Sequence, residues 1–267
     1  MENHTFFHLF TSEIIFHLHN KTTQLRLFLY ACISLAIGTG VYFLMKDEDT
    51  PLNDALTAGV MTFIFLLSFY TISSVSREIA DGTVSLSLRF VPTRGKLFLV
   101  RMMFYPTMTF IVSLVLSSFT IPFIPQGTQT LTYILDSVIY SSFIWSLITL
   151  LVFFIATIFR KGAISALVSI VLMVLLPLFM TLSPLFMGTH KFFTWLSTHT
   201  HYTPTLAISN ISSFQAINQK IEGFDGEVVT ALTTHDFLIG WATLLAWLVV
   251  LAFFAWKVFQ RESTVSA

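Results

Sequence analysis

The residues of this sequence that carry chemistry are few, and their spacing does not assemble them into a reaction centre. Four histidines, His190, His199, His201 and His235, fall in one region, and imidazole is a common ligand for zinc and copper. No carboxylate or cysteine stands beside them at ligand spacing, so they read as solvated loop histidines and not as a metal site. The single cysteine, Cys32, lies inside an apolar run, which excludes an intrachain disulfide. A nucleotide-phosphate loop needs G-x-x-x-x-G-K-[ST]. At the only Gly-Lys pair, Gly95-Lys96, Phe90 stands where the first glycine belongs and Leu97 where the hydroxyl belongs. There is no Gly-x-Ser-x-Gly elbow, no His-Glu-x-x-His and no pair of aspartates deep in an apolar run. A proton- or ion-coupled carrier keeps ionisable groups near the bilayer midplane, where they are costly and therefore functional. Here the nearest candidates sit at the ends of their runs. Arg101 is one turn in, where it can snorkel to the surface, and Asp136 is near an opposite end, where it hydrates or caps a helix. Neither catalysis nor nucleotide hydrolysis is expected of this chain alone.

The elements that would position these residues are set by composition. Of 267 residues, 55% are hydrophobic, 15% aromatic and only 10% charged, against roughly 25% charged in a soluble domain; the mean hydropathy is +0.79. Such a chain is an integral membrane protein. With 14 basic and 14 acidic residues the net charge is zero, and nothing points to nucleic acid. A helix needs about 20 apolar residues to cross the hydrocarbon, and six runs qualify: Leu25–Leu44, Ala55–Val75, Leu97–Phe119, Ile134–Phe159, Ile164–Met187 and Phe237–Phe259. A transmembrane β-barrel would alternate apolar and polar residues, and the uninterrupted stretch from Ile148 to Ile155, broken only by Thr149, does not. The expected fold is an all-α polytopic membrane protein with six spans. The side that holds both termini receives 11 of the 14 basic residues, and the positive-inside rule makes that side cytoplasmic. No small-x-small cleavage pattern precedes Lys46, so the first run reads as a retained span.

Before the first span, Phe7, Phe10, Ile14 and Leu18 recur at three- and four-residue spacing, with His8, Ser12 and Glu13 elsewhere on the wheel. That stripe predicts a helix lying in the cytoplasmic interface, a disordered tail being the alternative, and it places His17 and His19 in the headgroup region. On the outer side only residues 188–236 form a sizeable loop. Phe192–Leu196 and Tyr202–Ile211 are apolar enough to hug the membrane, and the loop reads as a lid. The fifth span carries Pro177 and Pro184, each of which removes a helix hydrogen bond; a broken helix is tolerated where it lines a cavity, and a packing kink is the alternative. Phe63, Phe69 and Phe179 are candidates for lining a greasy pathway.

The connection from Ser76 to Lys96 is the most informative segment. Gly82 permits a helix to end, Thr83 can cap the next, Pro92 stops it, and Thr93 can cap the third span. A short surface helix results, with Val84, Leu88 and Val91 on one face. An acidic residue, Glu78, followed by Gly82-Thr83, then Leu86, Leu88 and Pro92-Thr93-Arg94, with the basic Arg101 beyond, resembles the permeases of ABC-2-type transporters. In that family this connection is a coupling helix that docks on a cytoplasmic ATPase, and the leader resembles the family's elbow helix. Arg89 and the following Phe90-Val91 make the segment longer than is usual for the family. The resemblance implies a multi-pass permease of the prokaryotic plasma membrane, working as a pair with a second copy or paralogue. An ATPase dimer would bind ATP and Mg, and Glu78, Gly82, Thr83, Leu86, Leu88, Pro92 and Arg94 would serve coupling. The cargo it implies is amphipathic or apolar, moved outward among membrane lipids. A self-sufficient carrier or channel, and an assembly factor that recruits an ATPase, are the readings from other classes.

The topology has a direct check. In a Cys32→Ser background, an impermeant maleimide added to intact cells should label Glu48→Cys and leave Glu2→Cys and Ser266→Cys unlabelled until the cells are opened.

Overall fold

Hydrocarbon offers no partner to a backbone amide, so a lipid-exposed segment must bond internally as a helix or close as a barrel. A computed structural model of the chain describes residues 6–46, 51–80, 93–123, 130–175, 191, 202–212, 217–218, 220–222, 228–230 and 232–261, and these are almost entirely helical. The helices are α1 (Phe6–His19), α2 (Lys21–Leu44), α3 (Pro51–Ala80), α4 (Arg94–Ser118) and α5 (Thr130–Phe159), followed by α6 (Gly162–Ile170), α7 (Pro204–Ser212) and α8 (Thr234–Arg261). A π-helical stretch, Ile134–Tyr140, lies within α5, and a second, Val171–Leu175, continues α6. One short antiparallel pair, β1 (Lys220–Glu222) with β2 (Val228–Thr230), has Ile221 opposite Val229. Among the described residues five helices, α2, α3, α4, α5 and α8, are long and apolar enough to cross a membrane. The protein is a predominantly helical, multi-pass membrane protein. Of the expected fifth span, the portion up to Leu175 is described; Pro177, Phe179 and Pro184 lie outside the described residues.

The chain divides into two compact units, Met1–Gly162 with Ala255–Ala267, and Ala163–Phe254. In the first unit α2 and α3 run antiparallel at very close range. A Cβ on Gly38 would stand 2.9 Å from the Ala55 carbonyl oxygen, and one on Gly59 3.2 Å from that of Ser34. Small residues at such crossings let helix backbones approach where lipid supplies no hydrophobic drive. Deeper in, hydroxyls tie three helices together: Thr149 Oγ1 donates to Thr109 Oγ1 at 3.1 Å and lies 3.4 Å from Ser68 Oγ. At one end the Tyr133 hydroxyl lies 3.3 Å from Asn53 Oδ1 and 2.9 Å from Thr120 Oγ1, which joins the start of α3, the end of α4 and the start of α5. At the other end α2 begins, α3 finishes and α4 begins, together with the last turns of α5 and α8. We call this the basic end.

Two helix termini there are closed by arginines. The last four carbonyls of a helix have no internal donor, and in α8 those of Val258 and Gln260 accept from Arg160 at 2.7 Å and from Arg94 at 3.0 Å. Arg160 makes its bond from a left-handed backbone, φ 59°, which also terminates α5. Gly95 sits 3.3 Å beneath the Trp256 ring, measured from where a Cβ would be, so its want of a side chain serves packing.

In the second unit the chain rises beside α8. Trp247 Nε1 donates to the Tyr202 carbonyl at 3.0 Å, Gly240 accepts the backbone of Ala207 at 3.1 Å from its missing Cβ, and Asn218 Nδ2 donates to Thr234 Oγ1 at 3.0 Å. Trp247 is 13 residues into a 28-residue helix, about 20 Å along its axis. Tyr202 and α7 therefore pack along the flank of α8 between its midpoint and its start, where Gly240 leaves room for the α7 backbone.

Gly38 and Gly40 lie two residues apart on nearly opposite faces of one helix and have opposite surroundings, since nothing lies within 4 Å of a Cβ on Gly40. Gly38→Leu should cost roughly 1–3 kcal/mol by prising α2 from α3, lowering the melting temperature in detergent, whereas Gly40→Leu should leave it within error of the parent.

Candidate functional site

The connection that carries the sequence signal is bounded by the ends of α3 and α4, and residues 81–92 lie outside the described residues. Gly82, Thr83, Leu86, Leu88 and Pro92 are among them. What is described is how the two flanking helix ends are held. Thr93 caps α4 in the way its position suggests, in extended backbone and with its hydroxyl accepting from the Lys96 amide at 3.4 Å. Arg94 reaches the end of α8, as above. Glu78, in the last turn of α3, faces Arg101: Nη2 of the guanidinium lies 2.8 Å from Oε2 of the carboxylate.

Arg101 corrects the sequence reading. It does not snorkel, being only 6% exposed, because two other helices bring carboxylates to it. Besides Glu78 on α3, Glu13 on α1 approaches its Nε at 3.5 Å. The Tyr105 hydroxyl, one turn further along α4, lies 3.0 Å from Ser74 Oγ and 3.4 Å from Glu78 Oε1, and Ser74 donates to the same carboxylate oxygen at 3.3 Å. A buried guanidinium is affordable only when paired and hydrogen-bonded. Removing one partner from such a group typically costs about 3–5 kcal/mol, so this cluster fixes the positions of α1, α3 and the first turns of α4 relative to one another.

The face that α1 turns inward carries Glu13 and His17, one turn apart, together with Phe10, while Phe7 of the apolar stripe is 78% exposed. His17 was expected among lipid headgroups. It is buried instead, its ring stacked on Phe104 at 4.8 Å between centroids, Nδ1 2.6 Å from the Tyr70 hydroxyl and Nε2 3.6 Å from Glu13 Oε2; Thr23 Oγ1 lies 3.2 Å from the same Tyr70 oxygen. Phe10 meets Phe104 edge-on at 6.1 Å. The physical reason is that the surroundings of α1 are not water on one side and protein on the other. Its outward residues, such as Ile15 and Phe16, are apolar and exposed, while its inward face must satisfy an arginine.

Burial, reinforced by the Arg101 guanidinium, pulls the His17 imidazole down to about 4 from its ordinary 6.5. The neutral tautomer that suits both neighbours accepts from Tyr70 at Nδ1 and points Nε2–H toward Glu13. The sequence carried a faint signal of this arrangement in the i, i+4 spacing of Glu13 and His17, but nothing in it named Arg101 as the third member.

Of the proposed pathway aromatics, Phe63 and Phe69 are described and stand apart, and Phe179 lies outside the described residues. Phe63 lines an apolar cavity of about 540 Å³ between α2, α3 and α4, with Gly38, Gly59, Leu116 and Phe119 among the other walls. Phe69 is absent from those walls and packs against Phe65, 5.0 Å between centroids. Among the described residues no three metal-ligating side chains converge; His235 is exposed at the start of α8, and His190, His199 and His201 lie outside the described residues. No family model matches this chain, and no curated protein is significantly similar to it.

The titration of His17 has a definite sign. A docked α1 holds the imidazole neutral until about pH 4, whereas a detached α1 protonates it below about 6.5, so docking weakens as pH falls through that window and is unaffected above it. The full effect is at most about 3 kcal/mol. Amide exchange in α1, corrected for intrinsic rates, should accelerate between pH 7 and pH 4.5 in the parent, and His17→Gln should flatten that dependence.

Proposed function

We propose that this chain is the membrane-spanning permease subunit of an ATP-binding cassette exporter of the ABC-2 type. In this reading six spans place both termini in the cytoplasm of a prokaryotic cell, α1 is the elbow helix, and residues 76–96 hold the coupling helix. Two permeases, copies or paralogues, work with a cytoplasmic ATPase dimer that binds ATP and Mg; the chain is itself non-catalytic.

The observation that favours this reading is the cross-bracing of the helix ends on either side of residues 81–92. Arg101 binds the last turn of α3 through Glu78 and binds α1 through Glu13, and Arg94 fastens the same end of α4 to α8. A push delivered to the connecting segment would therefore move α1, α3, α4 and the end of α8 as a body instead of bending one helix. Glu78 would act in coupling as a positioning residue, holding those ends together, and the docking contacts would fall to Leu86, Leu88 and their neighbours. The apolar cavity that Phe63 lines, and the want of midplane charge, favour an amphipathic or hydrophobic cargo such as a peptide, a lipid or a drug.

Purification of the tagged chain from its native membrane in mild detergent tests the proposal. A nucleotide-binding protein should copurify in stoichiometric amount with ATPase activity, and Leu88→Asp should release it while the chain still inserts. A chain that purifies alone and without ATPase activity would instead favour the self-sufficient carrier.

A further inference from the structure

Where α1 turns into α2 the first unit has a second cavity, of about 260 Å³, bounded by that corner and the last turns of α3. Its character differs from the apolar cavity along α2 and α3. Polar and apolar surface share its wall about equally, and the polar groups come from Asn20, Thr22, Arg26, Tyr70, Ser74 and Arg77 among others. Neither the ion cluster nor the transporter reading uses its basic residues.

Arg26 is the residue that demands explanation. It lies within a membrane-spanning helix, five residues from the start of α2, and is half-buried. Its guanidinium donates from Nη1 to Ser73 Oγ at 2.8 Å; among the described residues no carboxylate pairs with it. The acid in the same wall, Glu78, is engaged by Arg101 at 2.8 Å. Arginine does not shed its charge in a protein, and a half-buried cation at the end of a membrane helix is costly unless an anion shares its site. The Ser73 bond uses one N–H of the fork and fixes its orientation, leaving the others to accept a multidentate oxyanion. Arg77 adds a second positive charge to the rim, and Asn20 and Thr22 add amide and hydroxyl groups.

We infer that this cavity binds a phosphate group, and that the phosphate belongs to a membrane phospholipid. The chemistry of two arginines with neighbouring hydroxyls suits any phosphate ester. The lipid source is favoured by what adjoins the cavity: on the same turns of α2, Leu25, Phe28 and Leu29 are 68%, 67% and 55% exposed, an apolar face on which acyl chains can lie while the headgroup is held at Arg26. Basic pockets between spanning helices at the cytoplasmic surface meet anionic headgroups at this depth.

The test uses the full chain, purified and delipidated in a neutral detergent, with bound lipid counted by native mass spectrometry. Dioleoylphosphatidylglycerol should be retained at one tight site, and phosphate-free dioleoylglycerol should not. Arg26→Gln should weaken retention about tenfold or more, with Lys257→Gln, a basic residue of the same end, without effect. If Arg26→Gln disturbs insertion, Ser73→Ala keeps the charge but frees the guanidinium, and should still weaken retention several-fold. Equal retention of both lipids, or retention indifferent to Arg26 and Ser73, would overturn the site. Inorganic phosphate that raises the melting temperature in an Arg26-dependent way, in a chain that retains no phosphatidylglycerol, would overturn the lipid source.

Discussion

A buried guanidinium is the constraint around which the basic end of this protein is organised. Arg101 sits two turns inside α4, at 6% exposure, where water cannot solvate it and where it cannot be neutralised by losing a proton. Each carboxylate it requires must be brought by a different helix, Glu13 by α1 and Glu78 by α3. That requirement fixes which face α1 turns inward, and so places His17 against Phe104 and Tyr70. It also fixes how far the last turn of α3 stands from the first turns of α4. The hydrogen bonds of Ser74 and Tyr105 to the Glu78 carboxylate follow from the same need, since a buried charge is tolerable only when its remaining lone pairs are satisfied.

Elsewhere in the first unit the forces are different in kind. Between α2 and α3 the contact is one of backbone on backbone at Gly38 and Gly59, and between α3, α4 and α5 it is a chain of hydroxyls through Ser68, Thr149 and Thr109. Such contacts are individually weak, with interhelical hydrogen bonds in membranes averaging well under 1 kcal/mol to about 2, and no one of them dictates a register. The two kinds of contact divide the bundle. Its interior is held by close packing that tolerates an apolar cavity lined by Phe63, and its basic end by charge pairs that tolerate no slack.

How far this was legible in the sequence follows from the same division. The long helices were legible because an apolar run of sufficient length has one low-energy answer in a bilayer, and Thr93 was legible as a cap because capping depends on residues within one turn. The facing of α1 was not, because the stripe said only that the helix lies in the interface; beside lipid, Phe7, Ile15 and Phe16 lose nothing by facing out, and Glu13 and His17 set the inward face. Arg101 was misread for a related reason. Snorkelling is the expectation for a lone arginine near a helix end, and its partners lie on segments with no local tie to it in sequence. The passage of α7 along the flank of α8 rests on the small size of Gly240, which periodicity does not register.

The polar cavity at Arg26 and the ion cluster at Arg101 solve one problem in two ways, and their adjacency limits what each can do. Both place an arginine within the turns of a spanning helix nearest the basic end, and they share Glu78, Ser74, Tyr70 and His17 as common walls or ligands. For Arg101 the countercharge is internal, so the site is closed and serves to hold helices. For Arg26 the internal acid is already committed, so its countercharge must come from outside the described chain. The phosphate inferred above would supply that countercharge, so the two arginines differ in the source of their anion and not in the problem it solves.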